Sequence, residues 1–186
     1  MILRDAEALR DAHPGIERFK ITAQQNINNQ SNATLSLPKT SQIYDPNTHS
    51  FNALPNGSNE PFHATGPFAY FLTTINVDRL EKSFLITPLA NTLPASESVF
   101  DIVVVQPTRA PKRTLEDVIY ASKLVTLLGG AYDKGKHVGM RYVKKDEDES
   151  VYIGKFEEGK GAFAEEYYRA NSWEWKPVSA VLFHQF

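Results

Sequence analysis

Two carboxylates in this chain are placed where acids can do chemistry. Asp101 opens the run Phe100–Gln106, and Glu97 precedes it in the polar loop Asn91–Ser98. Two acids at the entrance of a buried strand can hold a hydrated magnesium ion against a phosphate, because magnesium keeps most of its water and takes only one or two carboxylates. Asp101 equally suits a plain strand cap, and the residues alone leave both readings open. The other acids are less telling. Glu116-Asp117, Glu157-Glu158 and Glu165-Glu166 are adjacent pairs, and neighbours on a strand point to opposite faces, so they read as solubility features. Asp146–Glu149 reads as a solvated turn, since a calcium loop needs alternating ligands, a glycine and a terminal Glu. The histidines are scattered, which argues against zinc. The absence of cysteine excludes thiol catalysis, thiolate metal sites and a disulfide framework. Gly159-Lys160-Gly161 lacks the third glycine and the preceding apolar strand of a dinucleotide loop, and no Walker lysine motif occurs.

The elements that must position Asp101 lie between Gly66 and Pro107. Phe68–Thr73, Phe84–Thr87 and Phe100–Gln106 are rich in β-branched and aromatic residues, with turn formers between them. Ile102–Val105 is apolar without a break, the pattern of a strand buried on both faces. Thr114–Leu128 follows as an amphipathic helix, with Thr114 as N-cap, Asp117 in capping-box position and Gly129-Gly130 as its end. Its apolar face either packs on a sheet or walls an apolar pocket.

Upstream, Ile2–Leu9 has helical spacing and stops at His13-Pro14. Phe19, Ile21 and Ala23 alternate with polar residues, as do Ala33, Leu35 and Leu37, and both segments predict half-buried strands. Residues 45–67, rich in proline, glycine and asparagine, predict a long irregular loop. Downstream, Val138–Lys144, Val151–Ile153, Phe163–Tyr168, Ser172–Trp175 and Val181–Phe186 predict short strands, with Trp173 and Trp175 on one face as a core pair. The whole is mainly β with one prominent amphipathic helix, a single domain over 1–186.

Composition bounds the partners. The chain is 41% hydrophobic and 23% charged with a formal net charge of −2, enough apolar residue for one sizeable core and no basic excess for nucleic acid. No apolar run reaches membrane-spanning length, and the charged N-terminus lacks a signal-peptide core. An intracellular location, cytoplasmic or peripheral to membranes, is expected. The helix starting almost at Met1 without a cap, and the strand pattern still running at Phe186, suggest a part of a longer protein.

The succession FAYFLTT, FLITPLA, then SVFDIVVVQ, followed by the helix, Gly135-Lys136-His137 and aromatic-rich strands including SWEWKP, resembles the C-terminal half of the lipid kinases. These include the diacylglycerol and sphingosine (long-chain base) kinases, and the wording is most like fungal members. The resemblance covers about Phe68 to Pro177. It implies a β-sandwich lipid-binding domain that packs against a separate ATP-binding domain, with phosphoryl transfer from ATP to a lipid hydroxyl in the cleft between them. Magnesium and ATP are the implied cofactors, Asp101 and Glu97 the implied metal-proximal acids, and Phe68, Phe71, Leu124 and Val125 the candidate lipid-binding residues. The family's Gly-Gly-Asp-Gly nucleotide loop and late Asp-Gly-Glu do not occur here, so the ATP site is expected in a nucleotide-binding domain outside this chain. The alternative is a non-catalytic lipid-binding or interaction module, a degenerate relative of the kinases.

Overall fold

A computed structural model describes residues 7–14, 18, 21, 22, 25, 31–55, 60–80, 82–92, 98–106, 117–144, 151–154 and 163–177. These form a mainly β body built on two antiparallel sheets, with a two-stranded ladder and one long helix. The strands are β1 (Ala33–Leu37), β2 (Gln42–Asp45), β3 (Ser50–Ala53), β4 (Phe62–Thr65), β5 (Tyr70–Ile75), β6 (Phe100–Val105), β7 (Arg141–Lys144), β8 (Val151–Gly154), β9 (Glu166–Ala170) and β10 (Glu174–Pro177). The helix α1 is Asp117–Tyr132. One sheet has the order β10-β1-β4, the other β3-β2-β9-β6-β5, and β7 pairs with β8 as a separate ladder.

The two sheets share one apolar layer. Ala33, Leu35 and Leu37 of β1 and Ala64 of β4 meet Ile102 and Val104 of β6 and Tyr168 and Ala170 of β9. Strict alternation puts the three β1 side chains on one face, and all three are buried. Burying each of the two leucines contributes roughly 1.5–3 kcal/mol. Trp173, just before β10, and Trp175 within it are partly buried and pack against this layer rather than lying in it as a core pair on one strand. Both rings contact Phe71, with centroids 5.3 and 4.4 Å away.

Strand β6 is buried on both faces, as its unbroken apolar run predicts. Its second face carries Asp101, Val103 and Val105. Val105 packs with Leu124 and Leu127 of α1 and with Ala164, a smaller core on the far side of the five-stranded sheet. Leu124 and Leu127 thus pack the helix on a sheet, while Val125 beside them is turned to solvent.

Several expectations change. Residues 18, 21, 22 and 25 are helical, where an alternating strand is predicted around Ile21. Thr22 Oγ1 donates to the Arg18 carbonyl at 2.8 Å, the back-bond of a helical turn, and five residues of alternation are too few to outweigh it. Residues 45–67 are not one loop, for they hold β3 and β4. Asp45 Oδ1 accepts from the Asn47 amide at 2.9 Å, a turn that folds β2 and β3 into a hairpin. Phe84–Thr87 is not a strand. Ile86 and Thr87 are buried, but the Leu85 amide bonds to the Ala131 carbonyl of α1 and the Thr87 amide to that of Asp78. This segment is a strap between β5 and the helix. Val181–Phe186 and Asp146–Glu149 lie outside the described residues.

The helix continues through Gly129-Gly130 to Tyr132. Lys134 and Gly135, at φ 57° and 75°, make the reversal instead. Gly130 serves close packing. A Cβ there would lie 2.7 Å from the His137 amide nitrogen and 2.8 Å from the Met140 methyl, whereas one at Gly129 would meet nothing within 4 Å. Gly129→Ala should therefore stabilise the protein by about 0.5–1 kcal/mol through helix propensity. Gly130→Ala should cost about 1–3 kcal/mol through overpacking. Urea denaturation of the two variants checks the opposite signs, and like signs would contradict this packing.

Candidate functional site

The antiparallel register of β6 and β9 sets Asp101 opposite Arg169, and both face away from the aliphatic layer. Asp101 is 1% exposed. Its Oδ1 accepts from the Tyr167 hydroxyl at 2.9 Å and from Arg169 Nε at 3.1 Å, with Arg169 Nη2 also 3.1 Å away. Arg169 spends its remaining donors on the turn before β6. Nη2 donates to the Leu89 carbonyl at 2.7 Å, and Nη1 and Nη2 each reach Thr92 Oγ1 at 3.3 Å. The guanidinium stacks on Phe51 of β3 at 4.0 Å from the ring centroid. Phe51, Tyr44 and Tyr167 form an aromatic wall around it, with ring centroids 5.3–6.3 Å apart.

Burial pushes the Asp101 carboxyl above its usual range, and the Arg169 guanidinium and Tyr167 hydroxyl pull it back down. Chemically, this centre is a buried ion pair with its hydrogen bonds made inside the protein. A cation on Oδ1 would sit against the guanidinium. Among the described residues no three metal-ligating side chains converge. Asp101 in this arrangement does not fit a magnesium ligand. Glu97 lies outside the described residues.

The four lipid-binding candidates are not brought together. Phe68 is buried in the inter-sheet layer and packs on Trp175, the ring that Phe71 also contacts. Leu124 belongs to the smaller core under α1. Val125 points outward and is 52% exposed. A cleft of about 40 Å³ opens between Ile43, Pro46, Val138 and Phe163, with Glu165 at its wall. That is room for a few water molecules, against several hundred Å³ for a typical organic ligand.

The residues that do converge are ones whose sequence signals are weak. Glu165 and Glu166, read as solubility features, are both buried. His137, read as one of several scattered histidines, is fully buried, with Nε2 3.0 Å from the Ile86 carbonyl and 3.9 Å from Glu165 Oε1. Arg169 and Tyr167 had one usable signal, their spacing. Residues two apart on a strand share a face, so an arginine in a buried strand calls for an acid on the neighbouring one. Asp78, largely buried, accepts a two-pronged bond from Arg79 and a third from Asn91, which ties the end of β5 to the turn at 90–92.

Comparison with known proteins returned no matching family model, no matching curated protein and no matching solved structure.

Removing one partner of the ion pair leaves the other charge buried and unpaired. Asp101→Ala and Arg169→Met should each destabilise the protein by about 3–5 kcal/mol, whereas the apolar double variant Asp101→Leu/Arg169→Met should recover most of that loss. Chemical denaturation of the three variants measures this, and additive losses would show that the two side chains do not act as a pair.

Proposed function

We propose that this chain is the lipid-binding half of a lipid-kinase-like phosphotransferase, which passes the γ-phosphoryl group of ATP to a hydroxyl of a sphingoid base or a diacylglycerol. The observation that carries the reading is the succession of elements across Phe68–Pro177. Strand β5, strand β6, helix α1, the Gly135-Lys136-His137 turn and the aromatic strands β9 and β10 follow one another in a mainly β, two-sheet body, which supports the order that the sequence resemblance implies except at Phe84–Thr87, a strap instead of a strand. On this reading the body is the family's β-sandwich, and ATP with its magnesium is held by a domain outside the chain.

The surface supports a role in meeting lipid. Ile75, Val77 and Leu80, where β5 runs into the strap, are 48%, 47% and 57% exposed, and Val125 and Tyr132 of α1 are 52% and 43% exposed. Phe84 links the two groups, since its carbonyl accepts from the Leu80 amide and its ring packs on Tyr132 at 4.7 Å. Of the four lipid-binding candidates, Val125 is the most exposed, Phe71 is half-buried, and Phe68 and Leu124 are buried. No helix among the described residues is long and apolar enough to cross a membrane, so contact with lipid would be made through side chains of this kind.

A second reading has its own support. Asp101 is engaged by Arg169 and Tyr167 rather than open to a metal or phosphate, which favours a non-catalytic lipid-binding or interaction module.

Two measurements separate these readings. The chain should co-sediment with phosphatidylcholine vesicles carrying sphingosine or diacylglycerol more than with plain ones. Leu80→Asp/Val125→Asp should weaken that binding about tenfold, the equivalent of about 1.4 kcal/mol. The native protein isolated from its source cells, given labelled ATP, should then transfer label to the same lipid. Lipid binding without transfer selects the second reading, and failure to prefer either lipid removes both.

A further inference from the structure

A second group of buried ionisable side chains lies where helix, strap and sheet meet. His137 is fully buried, and its Nε2 donates to the Ile86 carbonyl at 3.0 Å, so the neutral ring carries its proton on that nitrogen. Glu165 Oε1 stands 3.9 Å from the same nitrogen. Neither Glu165 Oε1 nor His137 Nδ1 has a hydrogen-bond partner. The surroundings come from four parts of the chain. The end of α1 touches the His137 backbone at Gly130. The strap reaches it through Ile86, the turn after α1 carries His137 itself, and Glu165 leads directly into β9.

We propose that His137 and Glu165 form a charge-balanced buried couple that latches the end of α1 and its turn to the sheet, closed when the two side chains together carry one titratable proton and loosened when they carry none or two. With one proton the couple is neutral, as acid and neutral ring or as carboxylate and imidazolium. With none, a lone carboxylate is buried. With two, a lone imidazolium is buried. Either uncompensated charge is costly to bury, most of all on the fully enclosed ring, since Glu165 also borders the small cleft. Burial pushes the His137 ring down to about 4, with the Ile86 and Gly135 carbonyls opposing, and pushes the Glu165 carboxyl well above its ordinary range. The other ionisable groups on the surrounding elements do not supply a counter-charge. Tyr70 on β5 faces Glu165, and burial raises its hydroxyl further from ionisation. Tyr132 stands beyond Tyr70 on α1. Asp133 and Lys136 in the turn pair with each other at the surface at 2.6 Å. Arg141 on β7 is directed to Asn47 and stacks on Phe163, and Glu166 follows Glu165 on β9.

The pH dependence has a definite form. Ordinary values are 4.5 for the carboxyl and 6.5 for the ring. Between them the unfolded chain holds one proton on these two groups, on the ring, and the folded chain also holds one, so their contribution is level. Above 6.5 the unfolded chain holds none while the folded chain keeps one, and stability falls as pH rises towards the folded carboxyl pKa. Below 4.5 the unfolded chain holds two, and stability falls as pH drops towards the folded ring pKa.

Amide hydrogen exchange of α1 in the full chain tests this, read as the difference between each variant and the unsubstituted protein. Glu165→Gln should abolish the alkaline limb and make protection fall by up to about tenfold per pH unit on acidification below the ordinary ring pKa. His137→Gln should do the reverse, with protection falling by up to about tenfold per unit as pH rises above the ordinary carboxyl pKa. A variant that keeps the parent profile overturns the couple. Should a substitution prevent folding, NMR of the unsubstituted protein decides. Neither the Glu165 carboxyl carbon nor the His137 ring should titrate between pH 4.5 and 6.5, and titration of either within that interval overturns the proposal.

Discussion

A carboxylate and a guanidinium share the interior of this protein, and the arrangement of the five-stranded sheet turns on accommodating them. Asp101 sits on a strand that is buried on both faces. One face must be wholly apolar to meet β1, so the acid has to occupy the other. The β6–β9 register then sets Arg169 directly across from it. Slipping that pairing by one residue would turn every side chain of β9 to the opposite face and drive Arg169 into the aliphatic layer. Desolvating two charges costs several kcal/mol each, so the pair is weak as a source of stability and strong as a selector of register.

The pair also explains why distant segments come to the same place. A guanidinium offers five donors, and Asp101 cannot take them all. The Leu89 carbonyl and Thr92 hydroxyl take others, which holds the turn before β6 over the acid. The flat face of the cation is covered by Phe51, which brings the β2–β3 hairpin alongside. His137 and Glu165 contrast with this. There the ring's one donor goes to Ile86 and Glu165 Oε1 has no donor facing it. One buried centre is built to keep its charges, the other to be without them.

How much of this was legible in the sequence depended on the range of the interaction that decides each element. Ala33, Leu35 and Leu37 alternate within one strand, and burial on one face follows from that alone. Ile102–Val105 announces burial on both faces by having no polar residue. The helix was legible from its apolar spacing, but its end was not. Gly129-Gly130 has the form of a stop, and Gly130 is instead the space into which the turn at His137 packs, a contact no local pattern encodes. The strap at Phe84–Thr87 has strand-like residues because it is buried, yet its amides find the helix and Asp78 rather than a neighbouring strand. The partners of Asp101 were hidden for the same reason. Arg169 lies far along the chain, and only the pairing of β6 with β9 brings it across. Of the expected lipid-binding residues, Phe68 and Leu124 were picked for being apolar, and apolar residues that pack well disappear into cores.

This distinction bears on where a lipid could be received. The two cores are filled by the protein's own side chains, Trp173 and Trp175 pack against the larger, and the cleft beside Glu165 has room for water-sized groups only. Among the described residues, the apolar side chains open to a long ligand lie on the outside of the body. The exposed apolar side chains are concentrated where the strap passes from β5 to α1. That strap is fastened at one end by Asp78 and Thr87 and at the other by Ala131, and its carbonyl at Ile86 holds His137. A lipid seated there would press on the segment whose anchorage depends on the buried His137–Glu165 couple, so the physical chemistry of the interior and the exposure of the surface meet in one element.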